Sequence, residues 1–132
     1  MPQSTVIDTQ IICGVPVLQW QGVLDNARLG HCERILQSLT HSGYRELVLD
    51  LQRATITAPR ELWRLLRTLE RMLPDHTHAE VVLPASSPPV RHPKRIRIAQ
   101  SVALALSHIT RMPAASLQAS LSVHVRWQED QG

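Results

Sequence analysis

Between Arg45 and Leu83 the sequence changes its hydrophobic period twice, and this restricts the fold more than any other feature. Leu47-Val48-Leu49 is a continuous apolar run, the mark of a strand covered on both faces. From Pro59 onward the apolar residues fall at helical spacing, Leu62, Leu65, Leu66, Leu69, Met72 and Leu73, which places them on one stripe of a helix. Pro59 suits the first turn of that helix, where a missing N–H costs nothing, and Pro74 stops it. Ala79 to Leu83 is again a short apolar run. Strand, helix and strand in succession form a βαβ unit, whose two strands lie parallel and are joined by a crossover helix.

The flanking sequence extends this unit. Thr5 to Ile7 is β-prone, and Gln10 to Gln21 carries Ile12, Val15, Val17, Leu18 and Trp20, interrupted at Gly14-Val15-Pro16. The reading is two strands or one bulged strand, because Pro removes a ladder donor and Gly relaxes the backbone. Asp25 or Asn26 then caps a helix over Ala27 to His41, with Cys32, Ile35, Leu36 and Leu39 on its apolar stripe and Gly43 as its stop. Pro84 to Pro93 is a loop by composition. Ile98 to Ile109 is predicted to be helical and Pro113 to break it. Leu121, Val123, Val125 and Trp127 alternate with polar residues, the pattern of a half-exposed strand at a sheet edge. Gln128 to Gly132 is a polar, frayed tail. The expected order is β-β-α-β-α-β-α-β. This is an α/β fold with a mostly parallel central sheet, crossover helices, an N-terminal hairpin and a C-terminal edge strand. The 132 residues suit one domain.

Several function classes lose support from composition. Aromatic residues make up 3% and Phe is absent, so the core is built from Leu, Val, Ile and Ala, and no platform for stacking bases is present. The formal net charge of +3 comes almost wholly from Arg, with Lys94 the only Lys. That gives a mild preference for acidic partners. Cys13 and Cys32 match no metal or redox spacing and are expected to be reduced core thiols of a cytoplasmic protein. The N-terminus lacks the pattern of a signal peptide, and no apolar run approaches the ~20 residues of a membrane helix. There is no P-loop, no Gly-x-Ser-x-Gly and no Gly-rich dinucleotide fingerprint. No catalytic residue, cofactor or metal is expected.

Three pieces of the chain resemble a STAS domain, the family of anti-sigma factor antagonists and sulfate-transporter tails. Val17-Leu18-Gln19-Trp20-Gln21-Gly22-Val23-Leu24-Asp25 is similar to the family's second strand ending in Gly-x-Leu-Asp. Leu47-Val48-Leu49-Asp50-Leu51 is similar to its central strand, which runs into a switch loop. Val81 to Val90 is similar to the strand and loop after the second helix. The resemblance spans residues 5–90, and residues 91–132 diverge from it. It implies a non-catalytic regulatory domain that binds another protein, an anti-sigma factor or related regulator. Alternatives are an accessory subunit of a membrane transport ATPase and a small ligand-binding domain. The family has Asp-Ser-Ser-Gly or Asp-Ser/Thr-x-Gly at the mouth of the second helix. Here Ala58-Pro59-Arg60-Glu61 occupies that place. The usual phosphoacceptor serine is missing, so the resemblance implies a binder not switched at that loop, with Thr55 and Thr57 as substitute acceptors and Thr57 as a cap. The implied partner interface comprises Asp25, Thr57, Pro59, Arg60, Trp63, Arg64 and Arg67.

The residues themselves offer further constellations. Arg60, Arg64, Arg67 and Arg71 recur every three or four residues and form a basic stripe, either a solvated helix face or a docking face for an acidic partner. Trp63 is an anchor if exposed and core if buried. Arg91 to Arg97 is the densest basic run; without a nucleic-acid fold it reads as a partner contact, not as a nucleic-acid site. His76 and His78 beside Asp75 lack further metal ligands and read as a solvated turn. His31 and Cys32 point apart on a helix and cannot form a dyad. Asp25 and Asp50, both expected at strand ends, are the one carboxylate pair suited to acid–base work. The Leu121–Trp127 strand offers an edge through which a homodimer would pair.

Overall fold

The computed structural model of the chain describes residues 6–73, 75, 78–85, 87, 91, 93–113 and 122–128. Its elements are β1 (Val6–Ile12), β2 (Val15–Val23), α1 (Asn26–His41), β3 (Glu46–Thr55), α2 (Pro59–Met72), β4 (His78–Val82), β5 (Ile96–Ala99), α3 (Val102–Thr110) and β6 (Ser122–Gln128). They build a six-stranded sheet in the order β5-β4-β3-β2-β1-β6. β2–β3, β3–β4 and β4–β5 are parallel, whereas β1 is antiparallel to both β2 and β6. β1 is thus the one strand that runs against the rest.

The opening interruption resolves into a two-residue hairpin. Ile12 pairs with Val15, and Cys13 and Gly14 between them both have positive φ, 52° and 79°, as the tightest hairpin turns require. Cys13 is therefore an exposed turn residue, not the core thiol the sequence predicts. Pro16 is accommodated because it pairs with Ile11 one step beyond the hairpin closure. At that step the backbone nitrogen faces away from β1, and the ladder with β3 begins only at Val17.

Two apolar cores follow from the strand period. On one face Leu18 and Trp20 of β2, Leu47, Leu49 and Leu51 of β3 and Val81 of β4 meet Cys32, Ile35 and Leu36 of α1 and Leu62, Leu65, Leu66 and Leu69 of α2. On the other, Val17, Val48, Val82 and Ala99 meet Ala105 and Leu106 of α3. Burying each of these leucines contributes about 2 kcal/mol, so the helical stripes decide how α1 and α2 sit. α3 is short and packs on β3, β4 and β5. Beyond its reach, on β1 and β2, the same face carries Asp8 and Gln19, paired in register with each other and, through Gln19, with Asp50 of β3.

The expected helix over Ile98 to Ile109 divides in two. Ile96 to Ala99 is a parallel edge strand on β4, and the helix begins only at Val102, capped by the Ser101 hydroxyl, which accepts from the Leu104 N–H at 3.1 Å. A strand of four residues with Arg97 at its centre carries too short an alternation to read. The predicted terminal strand forms as β6 beside β1; Leu121 and the tail 129–132 lie outside the described residues, as do Pro74, His76 and His92.

Arg95 ties this added strand to α2. Its guanidinium donates to the Glu70 carbonyl at 2.8 Å and to the Leu73 carbonyl at 3.2 Å, two of the carbonyls that the last turn of a helix leaves open. Replacing Arg95 with Ala leaves both without that donor. Arg95→Ala is expected to lower unfolding stability by about 2 kcal/mol, and Arg95→Lys to recover only part of it, as urea unfolding would show.

Candidate functional site

The C-terminal ends of β2 and β3 bring together the two turns singled out in the sequence. Val23 pairs with Thr55, and the Leu24 N–H donates to the Thr55 carbonyl at 3.0 Å. The turn into α1 is thereby fixed beside the Thr55–Ala58 loop. Asp25 is the N-cap of α1: its carboxylate accepts from the Arg28 N–H at 2.9 Å and pairs with the Arg28 guanidinium. Its charge is thus engaged in holding the helix start.

The mouth of α2 is capped differently from the expectation. Thr57 is not the cap. Ala58 occupies the N-cap with an extended backbone and no side-chain hydrogen bond. The Thr57 hydroxyl instead donates to the Glu61 carboxylate at 2.8 Å. Pro59 follows at the first helical position, and Pro59, Arg60 and Thr57 are exposed. An Ala cap leaves helix amides without the side-chain acceptor that Ser, Thr or Asp supplies, and Arg60 adds positive charge to the positive end of the helix dipole. Local stability is thus surrendered at the one loop where the resemblance places the switch.

Arg60, Arg64, Arg67 and Arg71 are all exposed and lie within an arc of about 60° on the helix, opposite the buried leucines. Trp63 is neither fully exposed nor core. It is half-buried, with the Arg67 guanidinium 6.0 Å from its ring centroid, within the range of a cation–π contact. Trp63, Arg64, Arg67, Thr68 and Arg71 form one wall of a groove whose other wall is Leu29, Gly30 and Glu33 of α1. Sequence reasoning missed the α1 wall. The available signal was Gly30, a glycine inside a helix, which costs about 1 kcal/mol relative to Ala. A Cβ at Gly30 would meet nothing within 4 Å, so packing inside the domain does not require the glycine.

The carboxylate pair does not form. Asp50 is not at a strand end: five residues, roughly 16 Å of strand, separate it from Thr55. It alternates with Leu49 and Leu51 and so faces away from the layer in which Asp25 caps α1. Asp50 is 4% exposed. Burial raises its pKa, and the Gln52 N–H donated to it at 3.0 Å, Arg53 and Gln19 pull the other way. Cys32 is buried and its thiol is pushed up to about 12 by burial, with Glu33 adding to the effect, an inert thiol. Asp75 and His78 are exposed. Among the described residues no three His, Cys, Asp or Glu gather in a metal-binding group, and no helix is long and apolar enough to cross a membrane.

No family model and no curated protein matches the sequence. Solved structures do match the fold. The anti-sigma factor antagonist SpoIIAA in its unphosphorylated form aligns with a TM-score of 0.57 at 14% identity, over 74% of this chain and 90% of that one. An anti-sigma factor antagonist from Mycobacterium paratuberculosis aligns with a TM-score of 0.59 at 20% identity, over 78% and 94%. The chain therefore has a STAS-like fold, as its three sequence pieces imply.

Two substitutions test this description. Ala58→Ser supplies the missing cap and is expected to raise stability by about 1 kcal/mol in chemical denaturation. Asp50 has a folded pKa above its unfolded one. Its contribution is fully present below the ordinary value of 3.8 and is lost as pH rises through the folded value. Asp50→Asn keeps an acceptor for the Gln52 N–H and removes the charge. It is expected to melt higher than the parent at pH 7, with the difference closing as the pH falls below 3.8.

Proposed function

We propose that this chain is a non-catalytic regulatory domain that binds a protein partner in the manner of an anti-sigma factor antagonist, without the usual phosphoacceptor serine in its switch loop. The observation that carries this reading is the α1–α2 groove. It combines a half-buried Trp capped by Arg67, two further arginines and a single carboxylate, Glu33, and it continues the surface that begins at the mouth of α2. Buried aromatic and Arg anchors are the residues from which interfaces draw most of their affinity. The charge favours an acidic segment. Thr57, Pro59 and Arg60 form the upper end of this surface and Trp63, Arg64 and Arg67 its centre. Asp25 contributes by holding the adjoining turn.

The fold supports the reading, because two of the solved structures it matches are anti-sigma factor antagonists. Pro59 and Arg60 on the loop give a fixed binding surface, since neither accepts phosphate. Gly30 fits the same reading: it leaves open space in which a partner's backbone can approach α1.

The test is capture of partners from the native cell with the tagged chain, followed by measured affinities. Arg60→Glu with Arg64→Glu is expected to weaken the complex at least tenfold with an unchanged fold. Gly30→Ala is expected to raise stability by about 1 kcal/mol, and Gly30→Leu to fold equally well yet lose binding. A sigma-regulatory protein among the captured partners supports the antagonist reading, and a transport ATPase subunit replaces it with the accessory role. Affinity unaltered in both Gly30→Leu and the double Glu variant removes this surface from the interface.

A further inference from the structure

The basic run Arg91–Arg97 plays no part in the surface just described, and the structure divides it by role. Arg95 is turned onto the end of α2. Lys94 and Arg97, with part of Arg95 between them, line a separate cavity of about 300 Å³ at the N-terminal ends of β3, β4 and β5, the pole opposite the Thr55–Glu61 loop. Glu46, His78 and Glu80 contribute from the strands, and the end of α3 borders it with His108, Ile109 and Arg111. The volume is at the lower bound of small-molecule sites.

Lys94, Arg95, Arg97 and Arg111 line it together with two carboxylates, Glu46 and Glu80, and Glu80 already has a partner. Glu80 is 3% exposed, and its Oε1 lies 2.9 Å from His108 Nδ1, so it has a hydrogen-bond partner within the wall. Among the described residues, the side chains of Lys94, Arg97 and Arg111 have neither a carboxylate nor a hydrogen-bond partner. Arg111 adds an independent observation. It is the C-cap of α3 in the left-handed region, φ 61°, where Gly or Asn is ordinarily found. A strained residue of the wrong type is a pointer to function. What it gains there is a guanidinium at the rim of the cavity.

We propose that this cavity binds a small, multiply charged anion carrying phosphate, a diphosphate or a phosphate ester, between Lys94, Arg97 and Arg111. The planar forks of Arg97 and Arg111 match phosphate oxygens bidentately, and Lys94 supplies a point charge. The cavity is bordered by α3 and opens to solvent through the exposed side chains of Lys94, Arg97 and Arg111; its size suits a compact anion rather than an extended polymer.

The test is titration of the isotope-labelled chain with pyrophosphate, followed by backbone amide shifts, with inorganic phosphate, a nucleoside diphosphate and a short single-stranded oligonucleotide as parallel arms. Saturable shifts at Arg97, His108 and Arg111 are expected at submillimolar pyrophosphate. A weaker inorganic phosphate response assigns the site to diphosphates, and a stronger nucleoside diphosphate response assigns it to nucleotides; either supports the proposal. Arg97→Gln is expected to weaken pyrophosphate roughly tenfold. Arg111→Gly is the decisive variant: it relieves the backbone, so it should melt higher than the parent while binding roughly tenfold less tightly. The proposal is overturned by amides that stay still at millimolar pyrophosphate, by an Arg111→Gly variant that binds as the parent does, or by an oligonucleotide that binds tighter than pyrophosphate and shifts residues outside the cavity.

Discussion

β3 is buried on both of its faces. Leu47, Leu49 and Leu51 enter the core beneath α1 and α2, and Val48 enters the one beneath α3. Both helical layers therefore take their position from a single strand, and its register with β2 sets everything at the sheet's C-terminal end. Because Val23 lies opposite Thr55, the Leu24 N–H reaches the Thr55 carbonyl, and the start of α1 is fixed next to the start of α2. The groove between those helices is a consequence of that pairing. A slip of one residue would reverse the faces of β3, exposing the leucines and pulling the two turns apart.

The second layer is incomplete, and its boundary has chemical content. α3 packs chiefly on β3, β4 and β5 and reaches only the start of β2, at Val15 and Val17. Where it stops, the face turns polar, with Asp8, Gln19 and Asp50 in one row across β1, β2 and β3. Asp50 stands at the border, buried yet beside polar neighbours, and its raised pKa follows from that position. Under α3 itself the only buried charge among the described residues is Glu80, which His108 meets from the helix. Buried carboxylates are thus admitted where a partner is supplied.

Much of this was legible in the chain. The βαβ unit was readable because its leucines follow the helical period and its strands are continuous apolar runs. Asp25, Pro59 and Gly43 marked element ends through fixed stereochemistry. β5 was not readable, since four residues with an Arg among them give no usable alternation. Cys13 misled because a thiol in a sequence reads as core, whereas the hairpin needed two positive φ values and only Gly14 announced one. Thr57 looked like a cap, but the helix starts one residue later, with Ala58 as its N-cap, and the Thr57 hydroxyl donates to Glu61 instead of accepting from a helix N–H. In the groove the Arg stripe and Trp63 were visible, but α1's contribution depended on how two helices pack. The pairing of Asp25 with Asp50 failed because β3 continues five residues beyond Asp50 before it ends at Thr55.

Among the described strands β1 alone is reversed, and it lies between β2, next to it in the chain, and β6, the last strand. Its inner edge is closed at once by β2 through a two-residue turn. Its outer edge is closed by β6, the last of the described elements in the sequence, which brings Ser122 opposite Ile12. A contact of such separation is slow to close. During synthesis the hairpin therefore presents a bare row of backbone donors and acceptors, the kind of edge that recruits a strand from a neighbouring copy. Two chains that exchange their last strands would reproduce all seven pairs of this ladder. The seam between β1 and β6 is thus the place where folding of one molecule competes with assembly of two, and crowding of nascent chains on one message would tip that competition.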